Sequence, residues 1–370
     1  MIRPDESIIS QFNYEGKYID FAVNTEGLIN NTYILRFVLE DGRTVHYSLQ
    51  RVNTSVFKNP TALMSNIFGV TEHIRKKLKA IGEDSQRGTL NFISTKNGEY
   101  GYVDKDGDFW RTYLYVENVI AHNSIERPIQ FQNAGKAFGH FQNLLADYPS
   151  KELYETIPLF HDTVNRYHNL MTAAEKDTAG RAASVQAEIN FAKAHRPYCN
   201  IITDGLKDGS IPLRVTHNDT KLNNVLMDIE TDEAVCVIDL DTIMPGSALY
   251  DFGDSIRFGT NSGAEDEPDL TKVHFVPELF EAFCEGFLSE VASTFTQAEI
   301  DNLANSAIIM TLECGMRFLT DYLDGDVYFH TSRPGQNLDR TRTQFRLVEE
   351  MEAMLPQLNE TVKRIAAKYR

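Results

Sequence analysis

Between Thr216 and Asp254 the chain concentrates residue types that can do chemistry. His217-Asn218-Asp219 is followed, five positions after Asp219, by Asn224. A short apolar run, Val225-Leu226-Met227, leads through a polar turn, Asp228–Glu233, into a second apolar run, Ala234–Ile238, that ends on Asp239. Two such runs joined by a short polar turn form an antiparallel hairpin. Its open ends meet, so Asn224 and Asp239 are expected side by side, with Asp219 just upstream on the same rim. An amide and a carboxylate are hard oxygen ligands suited to magnesium. A neighbouring carboxylate is free to accept a proton. Taken singly, Asp219 is an ordinary helix cap, Asn224 a turn residue and Asp239 a solvated strand end; the combination carries the signal.

Asp251 continues the pattern a dozen residues beyond Asp239. Together His217-Asn218-Asp219, Asn224, Ile238-Asp239 and Asp251 resemble the small-molecule kinases related to aminoglycoside phosphotransferases and choline kinases, which share the catalytic-loop pattern H-x-D-x-x-x-x-N. The resemblance implies a catalytic base at Asp219, metal ligation by Asn224 and Asp239, and a brace formed by His217 and Asp251. It also implies Mg2+ as cofactor and ATP as co-substrate. THNDTKLNN, VIDLDTIMPGS, DFGDSIRFG and ECGMRFLTDYL are most similar to the branch that phosphorylates N-acetylhexosamines at the anomeric hydroxyl, and the likeness runs more weakly from about Phe21 to Glu350. The acceptor implied is N-acetylglucosamine or N-acetylgalactosamine. Two alternatives stay open: a kinase for another small alcohol or amine, such as choline, homoserine or an aminoglycoside, and a silent kinase fold that only binds nucleotide or a partner.

These residues need a scaffold, and 370 residues is too long for one simple core. The fold implied is α+β and bilobal, protein-kinase-like. Residues 1–116 form an N-terminal nucleotide-binding lobe, an antiparallel sheet plus a helix. Residues 117–370 form a larger, mainly helical C-terminal lobe for catalysis and substrate binding. Alternation predicts strands over Tyr18–Val23, Thr32–Leu39 and Thr44–Val52, with Asp41-Gly42 as a hairpin turn. Pro60 opens a helix over Thr61–Ile81, closed by Gly82. Further strands are predicted at Thr89–Ser94, Tyr100–Val103 and Phe109–Val116. Helices follow at Phe131–Leu145, Ala173–Ala194 (one or two), Val276–Thr294, Gln297–Phe318 and Gln344–Ala367.

In a kinase lobe the turn Glu26–Thr32 covers the ATP phosphates. With one glycine there, Gly27, the side chains of Asn30, Asn31 and Thr32 must assist the backbone amides. The third strand carries no lysine. Tyr47, Leu49 and Arg51 share a face, so Arg51 is the candidate phosphate cation; snorkelling to solvent is the equal alternative. The usual glutamate partner is also absent, with only Asn66 or Glu72 near its place. The resemblance places the nucleotide base against Tyr115, Glu117 and Val119. On the acceptor side, Arg317 stands among apolar neighbours, a costly place for a charge without a partner. Either Glu313, one turn earlier, or the substrate fills that need, and Tyr328 is a candidate pocket wall.

Composition narrows the partners. A net charge of −17 disfavours nucleic acid and anionic membrane. The four cysteines contain no C-x-x-C pair, which argues against a zinc site or a disulfide framework. No run of about 18 apolar residues occurs, and the first residues lack an apolar leader core. A cytoplasmic protein meeting ATP and a small sugar is expected; oligomeric state is left open.

Overall fold

The computed structural model describes residues 4–25 and 29–370. The central turn residues Glu26-Gly27-Leu28, named above as part of the phosphate cover, lie outside the described residues. A short helix α1 (Glu6–Ile9) precedes the strands β1 (Lys17–Asn24), β2 (Asn31–Val38) and β3 (Thr44–Val52), then helix α2 (Pro60–Ile81) and strands β4 (Tyr102–Val103) and β5 (Phe109–Leu114). The five strands form one antiparallel sheet in the order β1-β2-β3-β5-β4. Tyr33, Leu35, Tyr47, Leu49 and Trp110 are buried with Ile8, Ile9 and Phe12 on one face. Val52, Phe92 and Phe109 pack against α2 through Leu63, Ile67, Val70 and Ile74 on the other. Asn59 caps the start of α2, Pro60 needs no N–H in the first turn, and Gly82 closes it at φ 78°.

The chain leaves this sheet after Leu114 and enters β6 (Val119–Ala121), which pairs with a second, three-stranded sheet. Helix α3 (Pro128–Leu144) then begins a helical body: α4 (Thr163–Lys176), α5 (Gln186–Ala194) and α6 (Asn200–Asp208). Strand β7 (Arg214–Thr216) leads to the hairpin β8 (Val225–Asp228) and β9 (Ala234–Val237), followed by β10 (Met244–Gly246), which pairs back with β7. Helices α7 (Ala248–Gly259), α8 (Pro277–Val291), α9 (Gln297–Asp324), α10 (Gln336–Ala353) and α11 (Leu355–Tyr369) complete it. One apolar core joins α3, α7, α8 and α9 around Phe252, Phe283, Phe287 and Leu312. The architecture is the expected α+β one. Among the described residues, no helix is long and apolar enough to cross a membrane.

Three expected elements differ. Ala173–Ala194 contains only the last turn of α4, closed by Asp177 in left-handed backbone, and then α5. Thr89–Ser94 is not a strand: it touches the sheet at the single bridge Phe92–Tyr113. The Asn91 side chain donates to the carbonyls of Gln86 and Thr89, so local bonds replace the ladder. The continuous C-terminal helix is instead α10 and α11, interrupted at Met354. Pro356 explains the break, since its ring clashes with the preceding turn while suiting the first turn of a new helix.

Candidate active site

The hairpin does bring its ends together: the Ile238 amide donates to the Asn224 carbonyl at 2.9 Å. The loop from His217 to Asn224 is held by α7. Asp251, buried, accepts from the amides of His217 (3.0 Å) and Asn218 (2.8 Å) and from Gln142 Nε2 (2.7 Å). Burial pushes the Asp251 carboxyl up, and His217 with these donors opposes it. His217 Nε2 must carry the proton, because it meets the Ile238 carbonyl at 2.8 Å; Nδ1 is then the acceptor for the Asp219 amide. So His217 and Asp251 fasten the loop from both sides. Asn218 and Asp239 adopt left-handed backbone, at φ 66° and 58°. Non-glycine residues take that conformation where surrounding contacts enforce it.

Asn224 donates through Nδ2 to the Asp219 carbonyl at 2.7 Å, and its amide oxygen accepts no hydrogen bond among the described residues. Asp219 Oδ1 meets Lys221 Nζ at 2.7 Å. Lys221, in THNDTK, was not singled out from the sequence, although its place two residues after Asp219 was in view. Asp239 differs from its neighbours. Its edge is open to solvent in the cleft, yet protein crowds it, and its carboxylate has no hydrogen-bond donor among the described residues. Burial, then Asp241 and Asp219, push its pKa up to about 6. A carboxylate in that condition is served by a cation. Among the described residues no three His, Cys, Asp or Glu side chains are arranged to hold a metal. An amide oxygen from Asn224 and the carboxylate of Asp239 are donors that would suit a hard cation such as Mg2+.

On the nucleotide side the structure redistributes the candidates. Thr32 is buried and accepts from Gln50 Nε2, and Asn31 begins β2 opposite Arg51. Asn30 Nδ2 donates to Asp241 Oδ2 at 2.6 Å. Arg51 is bound to Asp108 at 2.9 Å, on the sheet face shared by Tyr47 and Leu49 and away from α2. Period two gave the right face partners, but the face they share is the one turned from α2. The cation on the α2 side is Arg111, on β5, paired with Asp241. Asn66, near the expected glutamate position, ties α2 to the carbonyls of Tyr154 and Ile243. At the crossing, the Glu117 carbonyl accepts from Arg87 and the Glu117 carboxylate meets His46. The Tyr115 amide donates to the His46 carbonyl, and Val119 sits in β6 opposite Asp228.

On the other side of the catalytic loop, His161 spans from Glu313 (2.7 Å) to the Asn218 carbonyl (3.2 Å). Glu313 also accepts from Thr163, so it is not the partner of Arg317. The Arg317 guanidinium lies between the rings of Phe160 and Phe329, 5.6 and 5.5 Å from their centroids. Arg166 donates twice to the Phe160 carbonyl. Burial and then Arg317 hold its pKa below the usual value. Neither arginine forms an ion pair among the described residues. Tyr328 is 71% exposed. Its loop is fixed by buried Asp321, which accepts from the amides of Val327, Tyr328 and Phe329. A cavity of about 320 Å3 beside β9 and His140 is lined by none of these residues.

A family model described as the phosphotransferase enzyme family matches residues 97–288. The chain belongs to that family. Solved structures place the family fold over nearly the whole chain. An aminoglycoside phosphotransferase from Alicyclobacillus acidocaldarius shares 12% identity over 98% of each chain, with a TM-score of 0.60. A microcompartment-associated aminopropanol kinase shares 16% over 92% of this chain and 94% of its own, at 0.54. An amicoumacin kinase solved with AMP-PNP, Ca2+ and Ami shares 13% over 99% and 94%, at 0.52. Identities this low speak for the fold of the phosphotransferase family and not for its acceptor.

Proposed function

We propose that this phosphotransferase moves the γ-phosphoryl group of ATP to the anomeric hydroxyl of an N-acetylhexosamine, giving a sugar 1-phosphate. The observation that carries the acceptor class is the pair of arginines, Arg166 and Arg317, on the acceptor side of the catalytic loop with no carboxylate in an ion pair with either among the described residues. A cationic amine 4 Å from one guanidinium would pay about 4 kcal/mol at an effective dielectric constant near 20. A neutral, hydroxyl-rich ring meets no such penalty and can accept hydrogen bonds from both. The wording of the catalytic segments adds the hexosamine.

In this reading, residues 1–116 hold the nucleotide and residues 117–370 supply the catalytic residues and the acceptor wall. Asn30, Asn31 and Thr32 lie toward the phosphates, and Tyr115, Glu117 and Val119 toward the base. Asn224 and Asp239 would hold Mg2+, which would supply charge neutralisation to the transferring phosphate. Asp219 takes the proton as the anomeric oxygen bonds to phosphorus and the bond to the ADP oxygen breaks. Lys221 and Asn224 fix Asp219 in place, while His217 and Asp251 keep the loop from yielding. Such a transfer rests on positioning and electrostatics and requires no covalent enzyme intermediate. Arg317 and Tyr328 orient the sugar.

The test is magnesium-dependent ATP consumption with N-acetylhexosamines, plain hexoses, choline, homoserine, aminopropanol and an aminoglycoside. An acid-labile phosphate ester formed from an N-acetylhexosamine supports the reading. Turnover confined to the amines overturns the acceptor class and leaves the phosphotransferase.

A further inference from the structure

We infer that Arg111 and Asp241 form the charge pair that joins the nucleotide-binding sheet to the Asp239 segment, in place of a strand lysine and a helix glutamate. The inference rests on the kinase reading above and names residues that act by positioning.

Neither residue type nor spacing suggested it, since the partners are 130 positions apart. Arg111 Nη1 meets Asp241 Oδ1 at 2.5 Å, with each side chain only 4% exposed. The other edge of the guanidinium is also fixed: Arg111 Nε donates to Gln50 Oε1 at 2.9 Å. Gln50 is the β3 residue directly opposite Arg111, and it faces the cleft side that Arg51 does not. Asp241 collects a second donor, Asn30 Nδ2 at 2.6 Å, from the turn between β1 and β2. Two strands of the sheet, β5 directly and β3 through Gln50, and the β1–β2 turn therefore converge through side chains on a carboxylate two residues beyond Asp239. Helix α2 adds a neutral tie, from Asn66 to the Ile243 carbonyl at 3.0 Å. Its buried face carries no charged residue from Ala62 to Leu78, so it offers no acid to a sheet cation.

The energetic argument points to a positioning role. A buried ion pair loses in desolvation much of what it gains in attraction, and an uncharged replacement often folds as well. Removing one partner alone is costly, because the other charge is left buried. What the pair supplies here is geometry and charge placement. It holds Asp241 toward the sheet, so that Asp239 and Asn224 are the oxygen donors presented at the rim. It also ties the turn above the phosphates to the segment below them.

The experiment is titration calorimetry of AMP-PNP with Mg2+, with thermal unfolding of the same samples, for wild type, Arg111→Met/Asp241→Asn, Arg111→Gln and Arg111→Lys. The double variant removes both charges and keeps an acceptor for Asn30. We expect it to melt close to wild type and to bind the nucleotide at least about tenfold more weakly, the scale of one mispositioned phosphate contact. Arg111→Lys, which keeps the charge but loses the tie to Gln50, should bind more tightly than Arg111→Gln and more weakly than wild type. A folded double variant with wild-type affinity overturns the inference. If the double variant does not fold, equal affinities for the Lys and Gln variants overturn it instead. Wild-type protein that binds no nucleotide overturns the kinase reading itself, a result distinct from either.

Discussion

The two sides of the catalytic loop are charged in opposite senses. On the side expected to meet the nucleotide, Asp219, Asp239 and Asp241 gather, and one of them, Asp239, has no donor among the described residues. On the other side, Glu313 bonds His161 and Thr163, while Arg166 and Arg317 form no ion pair among the described residues. Under the proposed function the first arrangement would suit a cation and polyphosphate, and the second would disfavour a cationic acceptor and suit oxygen atoms. In the proposed reading, selectivity would follow from which charges are left unpaired, and not from how many the cleft contains.

The largest expected effect is on the carboxylate between the two sides. Asp219→Asn should lower kcat by about 10²–10⁴-fold, the span for a positioned general base, with AMP-PNP affinity little changed by calorimetry. Asp239→Asn should separate stability from function. It removes a crowded, unpaired charge, so the metal-free melting temperature should hold or rise while Mg2+-dependent nucleotide binding is lost. A fall in both would mean that Asp239 has a structural partner.

Titration sharpens the same point. The folded pKa of Asp239, about 6, lies above its ordinary 3.8, so between these values the folded state holds the extra proton. Its contribution to stability is therefore fully present below about pH 3.8 and lost as pH rises through about 6. Cation binding needs the ionised form and runs the other way: Mg2+-AMP-PNP affinity should fall roughly tenfold per unit below about pH 6 and be flat above it. A flat profile from pH 5 to 8 would remove Asp239 from the metal site.

On the acceptor side, Arg317→Met should raise the acceptor KM by about tenfold, the worth of one charged hydrogen bond, and leave the ATP KM unchanged. It should also improve amine acceptors relative to sugars; the opposite shift would break the charge comparison. The smallest effect is expected at Arg51. Its half-buried pair with Asp108 lies on the far face of the sheet, so Arg51→Met should move the ATP KM by no more than about twofold.

Legibility followed sequence distance. The nearness of Asp219, Asn224 and Asp239 could be read because one hairpin and the loop before it bring them together, and hairpin pairing can be read from two apolar runs and the turn between them. Asp251 followed because α7 begins soon after that hairpin. The Thr89–Ser94 strand failed because Asn91 satisfies local carbonyls, a competition that apolar content does not report. Arg51 failed differently: alternation shows which residues share a face but not which face meets α2.

By itself, then, the sequence determined the order of strands, helix and hairpin, the catalytic loop and its carboxylates, and the absence of a strand lysine. All are local in the chain, set by period, turn chemistry and spacing. The tertiary structure decided the pairings of Arg111 with Asp241, His161 with Glu313, and Arg51 with Asp108. Charges choose partners by proximity after packing, and packing brought together side chains that lie 57 to 152 positions apart.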